Sequence, residues 1–190
     1  MKLPNKKYQI ILADPPWSYK VWSKETGSGR SAESHYHTMS LEDIQSLPIQ
    51  SITDDNAVLF LWVIAPCLLE GIELIKKWGF TFKTIGFTWI KKNKVADSLF
   101  WGMGYYTRAN AELCLLATKG KILKRVSRSV HQVVYTPIQR HSQKPDEVRK
   151  RIVELFGNLP RIELFARERV SGWDAIGNEV DGEYLEVVKN

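Results

Sequence analysis

The stretch Tyr8-Gln9-Ile10-Ile11-Leu12-Ala13-Asp14-Pro15-Pro16-Trp17 decides the reading of the fold. A short, mostly apolar run broken by Asp-Pro-Pro is a strand that stops. Neither proline has an N–H to donate to a ladder, and each holds the residue before it extended. The Asp carboxylate, the proline carbonyls and the Trp ring are thereby gathered at the strand's carboxyl end, where open α/β sheets bind their ligands.

Working outward, further strands are expected at Ala57 to Val63, Phe80 to Trp89, Glu112 to Thr118 and Arg161 to Phe165. Between the second and third, Leu68, Leu69, Ile72 and Ile75 share one face of a helix from Pro66 to Trp78, which Gly79 stops. Ser40-Leu41-Glu42-Asp43 resembles a capping box and opens a short helix up to Leu47. A last helix runs from Lys144 to Phe156, with Pro145 in its first turn, Val148, Ile152, Val153 and Phe156 as its stripe, and Gly157 beyond its end. Alternating strands and helices predict an α/β sheet with crossovers. A chain of 190 residues, 44% hydrophobic, suits one well-buried core, so residues 1–190 are expected to form a single domain.

The chemistry of the tetrapeptide is specific. An exocyclic amine such as the 6-amino group of adenine is a poor nucleophile, because its lone pair is delocalised into the ring. Two acceptors, the Asp14 carboxylate and the Pro15 carbonyl, could take hydrogen bonds from its two N–H groups and localise that pair. The rigid Pro15-Pro16 backbone has little freedom left to lose, and Trp17 offers a flat face on which a base withdrawn from its helix could stack.

Three connections are long for a compact domain: Ser18 to Met39, Lys92 to Asn110 and Gly120 to Gln143. The first is rich in Ser, Gly and Lys and reads as an active-site lid. His35 and His37 lie in it without the further ligands a metal would need. Net charge is +6, which favours a polyanionic partner. Lys119, Lys121, Lys124, Arg125 and Arg128 fall within ten residues without an acid and are the first candidates for phosphate contact, with Lys91, Lys92 and Lys94 the next. Cys67 and Cys114 sit in apolar stretches and read as buried thiols, the stretch from Met1 to Lys7 lacks the apolar run of a signal peptide, and Ala57 to Leu69, the longest apolar stretch, is too short to span a bilayer. The expected setting is the cytoplasm.

The chain resembles the adenine N6-methyltransferase family of the eukaryotic messenger-RNA adenosine methyltransferase catalytic subunit, which has compact prokaryotic and phage members. Beyond Asp14-Pro15-Pro16-Trp17, the resemblance runs in order through Tyr36-His37-Thr38-Met39-Ser40, Leu59-Phe60-Leu61-Trp62-Val63, Lys144-Pro145-Asp146-Glu147, Arg161-Ile162-Glu163-Leu164-Phe165-Ala166-Arg167 and Gly177-Asn178. It covers about residues 8 to 182. It implies a Rossmann-like domain with permuted motif order, in which the cofactor segment follows the catalytic one and S-adenosylmethionine is the methyl donor. Asp14, Pro15, Pro16 and Trp17 would be catalytic and Tyr36 would lie near the adenine. Lys144, Glu163, Phe165, Arg167, Asn178 and Glu179 would join Asp14 around the cofactor.

The pattern departs from the family at Glu168-Arg169-Val170, which replaces a Pro-His-Asn run, and at Glu179, which replaces a glutamine. Glu179 could accept a ribose hydroxyl's hydrogen bond but could not donate one. Gly102-Met103-Gly104 lies in a loop and is no nucleotide fingerprint. The expected substrate is adenine in nucleic acid, DNA ahead of RNA, and a homo- or heterodimer partner is left open. Two rivals remain at this point, a protein-amide methyltransferase and a non-catalytic nucleic-acid-binding partner subunit.

Overall fold

The computed structural model describes residues 3–18, 38–140 and 142–181. Its centre is a seven-stranded sheet. In chain order the strands are β1 (Tyr8–Ala13), β2 (Thr53–Val63), β3 (Thr81–Lys92), β4 (Ala111–Lys119), β5 (Val133–Pro137), β6 (Arg161–Leu164) and β7 (Asp174–Ile176). They lie side by side as β5-β3-β4-β2-β1-β6-β7. β2, β1, β6 and β7 run parallel to one another, β4 runs antiparallel to both β2 and β3, and β5 lies parallel to β3.

Helices α1 (Leu41–Ser46), α2 (Leu68–Lys77), α3 (Asp146–Phe156) and α4 (Asn178–Asp181) complete the fold. The starts and stops follow local chemistry. The Ser40 hydroxyl accepts the Asp43 N–H at 3.1 Å to cap α1. Gly157, at φ +77°, ends α3 in a conformation that a residue with a Cβ rarely adopts.

Strand alternation divides the core in two. Ile11 and Ala13 of β1 join Leu59, Leu61, Leu115, Ile162 and Leu164 beneath Ile44 of α1 and Leu74 and Ile75 of α2. Ile10 and Leu12 join Val58, Phe60, Trp62, Cys114 and Trp89 beneath Val148 and Ile152 of α3. The central strands are therefore apolar on both faces, as strands covered by helices on both sides must be.

The five expected strands and three expected helices are all present, with shifted ends. β2 begins four residues before Ala57 and β3 continues three beyond Trp89, and α3 begins two after Lys144. β5 and β7 were not expected. β5 is an edge strand with three exposed positions and a terminal proline, and β7 has only three residues, so neither shows a strand's hydrophobic period. Cys67 and Cys114 are both buried and free. Among the described residues no helix is long and apolar enough to cross a membrane.

Candidate active site

Strand parity builds the site. Asp14 follows Ala13 at the end of β1 and so falls on the α3 side of the sheet. Glu163 pairs in register with Leu12, and Glu112 shares its face with Cys114. Three carboxylates thus meet on one face at the carboxyl edge, opposite the start of α3.

Lys144, just before α3, links two of them. Its Nζ lies 2.8 Å from Asp14 Oδ2, 3.2 Å from Glu112 Oε2 and 5.7 Å from the centre of the Trp62 ring. Lys91 pairs with Glu112 from the other side and stacks over Trp89 at 5.0 Å. The result is a chain of alternating charges, Lys91–Glu112–Lys144–Asp14, whose members are 14 to 23% exposed.

Glu112, Asp14 and Lys144 respond differently to burial. Burial works to raise the Glu112 carboxyl, but the lysines on either side outweigh it and hold it below its usual range. Asp14 has one lysine. Burial pushes its carboxyl up, Lys144 pulls it only partly back, and Glu112 adds to the rise. Burial would lower the Lys144 ammonium, yet Asp14 and Glu112 together raise it. Lys144 and Glu112 therefore keep their charges, and Asp14 is the member closest to binding a proton.

The cleft beside Asp14 is lined by Lys144, Arg149, Glu163, Phe165, Arg167 and Glu179, with Arg140, Gln143 and Glu168 at its borders. Arg149 is its hub. Its guanidinium bonds Glu163 at 2.8 Å and Glu168 at 2.9 Å and also pairs with Asp146. Burial raises the Glu163 carboxyl, against the pull of Arg149. Across the cleft Arg167 Nε donates to Glu179 Oε1 at 2.6 Å. Phe165, directly after β6, holds φ at +60°, a left-handed conformation that costs a bulky residue about 1–2 kcal/mol. It lets the chain turn so that the Ala166 N–H reaches the Ile176 carbonyl at 2.8 Å. Gly177 is pressed into that turn, and a Cβ there would lie 2.0 Å from the Ala166 oxygen.

The tetrapeptide is held from several sides. The Pro15 carbonyl accepts the Trp17 N–H at 2.8 Å, and the Pro16 carbonyl accepts the Met39 N–H at 3.1 Å. One lone pair of the Pro15 oxygen remains for a further donor. Trp17 is 6% exposed and its indole N–H donates to the Trp62 carbonyl at 3.0 Å. Its ring belongs to the core beneath α1 and α2. That differs from the open stacking face expected of it: an indole whose N–H is anchored to the central strand braces the turn after Asp14.

Asp14, Lys144, Glu163, Phe165, Arg167 and Glu179 line one cleft, and Asn178, half-buried at the start of α4, precedes Glu179 in the chain. Tyr36, His35 and His37 lie outside the described residues. Among the described residues no cluster of His, Cys, Asp and Glu is arranged to hold a metal.

The basic run does not join the site. Lys119 pairs with Ala57 at the far end of β2, whereas Leu113 pairs with Val63 beside the catalytic edge. Glu112 and Lys119 lie seven steps apart along β4, about 24 Å at ~3.4 Å per step. The loop after it folds over the end of α3, with the Val126 N–H on the Leu155 carbonyl at 2.8 Å. Lys119, Lys121, Lys124, Arg125 and Arg128 therefore stand at the opposite edge from Asp14. The phosphate contacts expected of them next to the adenine are displaced by the direction of one antiparallel strand.

Glu112, Arg149 and Glu168 are not among the site residues expected from the sequence, and Lys91, expected only as a second-choice phosphate contact, pairs instead with Glu112. Glu112 carried a signal: a lone acid at the head of an apolar strand, on the same parity as buried Cys114. Arg149, beside Val148 in the helical stripe, carried a weaker one. Glu168 lies in the run that departs from the family pattern, and the structure places it on the cleft through Arg149.

A family model described as MT-A70 matches residues 8–179. The Type II methyltransferase M.MunI of a Mycoplasma species is 37% identical over 201 aligned positions, covering 98% of this chain and 83% of that protein. The human N(6)-adenosine-methyltransferase catalytic subunit METTL3 is 28% identical, covering 94% of this chain and 29% of that protein. A Drosophila melanogaster N(6)-adenosine-methyltransferase MT-A70-like protein is also 28% identical, covering 93% of this chain and 27% of its own length. The chain thus spans most of the bacterial relative and under a third of the two animal ones.

Proposed function

The chain belongs to the MT-A70 family, and on that membership and the geometry at Asp14 we propose that it methylates the 6-amino group of adenine in nucleic acid. It is an S-adenosylmethionine-dependent methyltransferase. The single observation that carries the assignment of roles is the position of Asp14: an acceptor at the carboxyl end of β1, gripped by Lys144 on one side and opening onto the cleft on the other.

The residues present fit the donor. S-adenosylmethionine combines cationic ammonium and sulfonium groups, a carboxylate, a ribose diol and an adenine. The cleft offers Asp14, Glu163, Glu168 and Glu179 to the first kind of group and the diol, Arg140, Lys144 and Arg167 to the carboxylate, and the Phe165 ring to the base. Bound there, the donor supplies an electrophilic methyl group. We assign Lys144, Glu163, Phe165, Arg167, Asn178 and Glu179 to holding it.

The chain's own contribution is to make a poor nucleophile competent. Asp14 and the Pro15 carbonyl accept the two N–H groups of the amine and localise its lone pair, while Lys144 and the buried Trp17 keep both acceptors from turning away. Because burial raises its carboxyl, Asp14 is also suited to take the proton that the methylated amine sheds. We assign Tyr36 to the adenine. The buried, unpaired Cys67 and Cys114 suit a reducing compartment, and we place the reaction in the cytoplasm.

DNA is the favoured polymer, since the bacterial relative sharing most of its length with this chain is a Type II methyltransferase. RNA is the second reading, favoured by the names of the animal relatives. Methylating DNA and RNA oligonucleotides of matched mixed sequence in competition, with isotopically labelled donor, separates the two. Label in deoxyadenosine is expected, and label confined to adenosine overturns the choice.

A further inference from the structure

The connection between β3 and β4, residues 93–110, carries large apolar side chains that the reaction as described does not use. Trp101 is 70% exposed and Tyr106 93%, and Leu99, Met103 and Tyr105 are exposed beside them. Such a concentration on a small protein marks a binding surface.

The loop is built rather than slack. Lys91 O accepts the Phe100 N–H at 2.8 Å, and the Asn93 side chain donates to Ser98 Oγ at 2.8 Å and to the Leu99 carbonyl at 3.1 Å. Gly102 and Gly104 let the two arms close, since a Cβ on them would stand 2.0 Å from the Ala109 oxygen and 2.2 Å from the Thr107 oxygen. The tip formed by Met103, Tyr105 and Tyr106 is thereby pushed outward. Tyr105 and Tyr106 meet edge to face with centroids 4.9 Å apart, and the Arg108 guanidinium lies 4.8 Å over the Trp101 ring.

Its place fixes what it meets. β3 ends and β4 begins at the catalytic edge, with the Lys91 N–H on the Asn110 carbonyl at 2.8 Å. Lys91 and Glu112 at the loop's two roots belong to the charge chain that ends on Asp14. The segment from 91 to 110 contains four cations, Lys91, Lys92, Lys94 and Arg108, against one acid, Asp97. An aromatic surface of that sign attracts a polyanion with flat bases and repels the same surface of a second copy.

We propose that this loop is a stacking rim for unpaired bases flanking the target adenine, with Trp101, Tyr105 and Tyr106 as platforms and Lys94 and Arg108 toward the phosphates. The proposal rests on the adenine-directed reading above and supplies the strand-binding surface that the basic run at the far edge does not. Aromatic platforms hold single-stranded nucleic acid without regard to sequence, because every base has a π-face.

The test uses the full chain and fluorescein-labelled 30-nucleotide single strands of mixed sequence, as DNA and as RNA, with binding read by anisotropy across a salt series. Trp101→Ser and the double variant Tyr105→Ser/Tyr106→Ser should each weaken binding about tenfold or more. The phenylalanine versions at the same positions should bind within about twofold of wild type. The salt slope should be unchanged in the serine variants and fall by about one in Arg108→Gln, because only the last removes a phosphate contact. Donor affinity and melting temperature should not move. Weakening on one polymer only assigns the rim to that polymer. Serine variants that bind both strands as tightly as wild type overturn the proposal. So does a wild-type dimer, seen by sedimentation, that the serine variants split, because the loop would then be a protein interface. Loop-dependent binding by a wild type that methylates no adenine would sink the reaction and spare the rim, and normal methylation with loop-independent binding would sink the rim alone.

Discussion

Lys144→Met separates the electrostatic account of the site from a simple contact count. In the wild type Lys144 neutralises Asp14 at 2.8 Å and shares Glu112, at 3.2 Å, with Lys91. Its removal leaves Asp14, among the described residues, without a cation in hydrogen-bond reach and facing the Glu112 charge. Breaking a buried pair by removing one partner costs about 3–5 kcal/mol. With side chains still 14 to 23% exposed, about 2–4 kcal/mol is the reasonable range at pH 8. The loss should depend on pH with a definite sign. The Asp14 carboxyl, already raised in the folded state, rises further once Lys144 is gone. A carboxyl raised above its unfolded value destabilises the fold increasingly as the pH rises from its unfolded to its folded pKa, in full above the latter, and that cost shrinks as the pH falls back through this window. The difference between variant and wild type should therefore shrink between pH 8 and pH 5.5, as read from urea unfolding at the two values. Glu112 loses the same cation, so its carboxyl also rises from its lowered value, but Lys91 remains to hold it down and its share of the effect is the smaller. An equal loss at both pH values would refute the picture of Asp14 as the carboxylate that Lys144 keeps ionised.

Other outcomes follow from the same geometry. Asp14→Asn keeps the size of the side chain and, in its amide oxygen, one acceptor for the amine, but removes the carboxylate charge and the base for its proton, and turnover should fall at least about a hundredfold in a labelled-donor assay. Arg167→Ala should weaken donor binding about tenfold by calorimetry while changing stability by under about 1 kcal/mol, since its 2.6 Å pair with Glu179 is 37 and 45% exposed and so screened by solvent. Gly177→Ala drives a methyl group against the Ala166 carbonyl, and both the melting temperature and donor affinity should drop. Neutralising Lys121, Lys124 and Arg125 together should leave kcat/KM on a short oligonucleotide within about twofold of wild type, because these residues stand at the edge away from Asp14. A large loss there would return the basic run to the active site.

Much of this was legible before the fold was known, for identifiable reasons. The apolar run into Asp14-Pro15-Pro16 marks a strand end with little ambiguity, because proline ends ladders by covalent necessity. Lys144, Glu163 and Arg167 could be named because they sit in motifs whose order the family resemblance supplies. The direction of β4 could not be read. An apolar strand looks the same parallel or antiparallel, and that direction alone decides which end of the sheet receives Lys119 to Arg128. The pairing of Glu112 with Lys91 and Lys144 was hidden for the same reason: the three meet only once β3 and β4 are laid antiparallel beside β2. Trp17 was misjudged in its surroundings rather than its position. A tryptophan after a strand end can face solvent or core, and only its hydrogen bond to the Trp62 carbonyl decides between them.

The most direct measurement is mass spectrometry of the nucleosides released from adenine-containing DNA and RNA after incubation with the protein and isotopically labelled S-adenosylmethionine, beside the Asp14→Asn variant. The account predicts labelled N6-methyladenine from the wild type and almost none from the variant. Label on a cytosine amine, label recovered only in added protein, or a variant as active as wild type would contradict it.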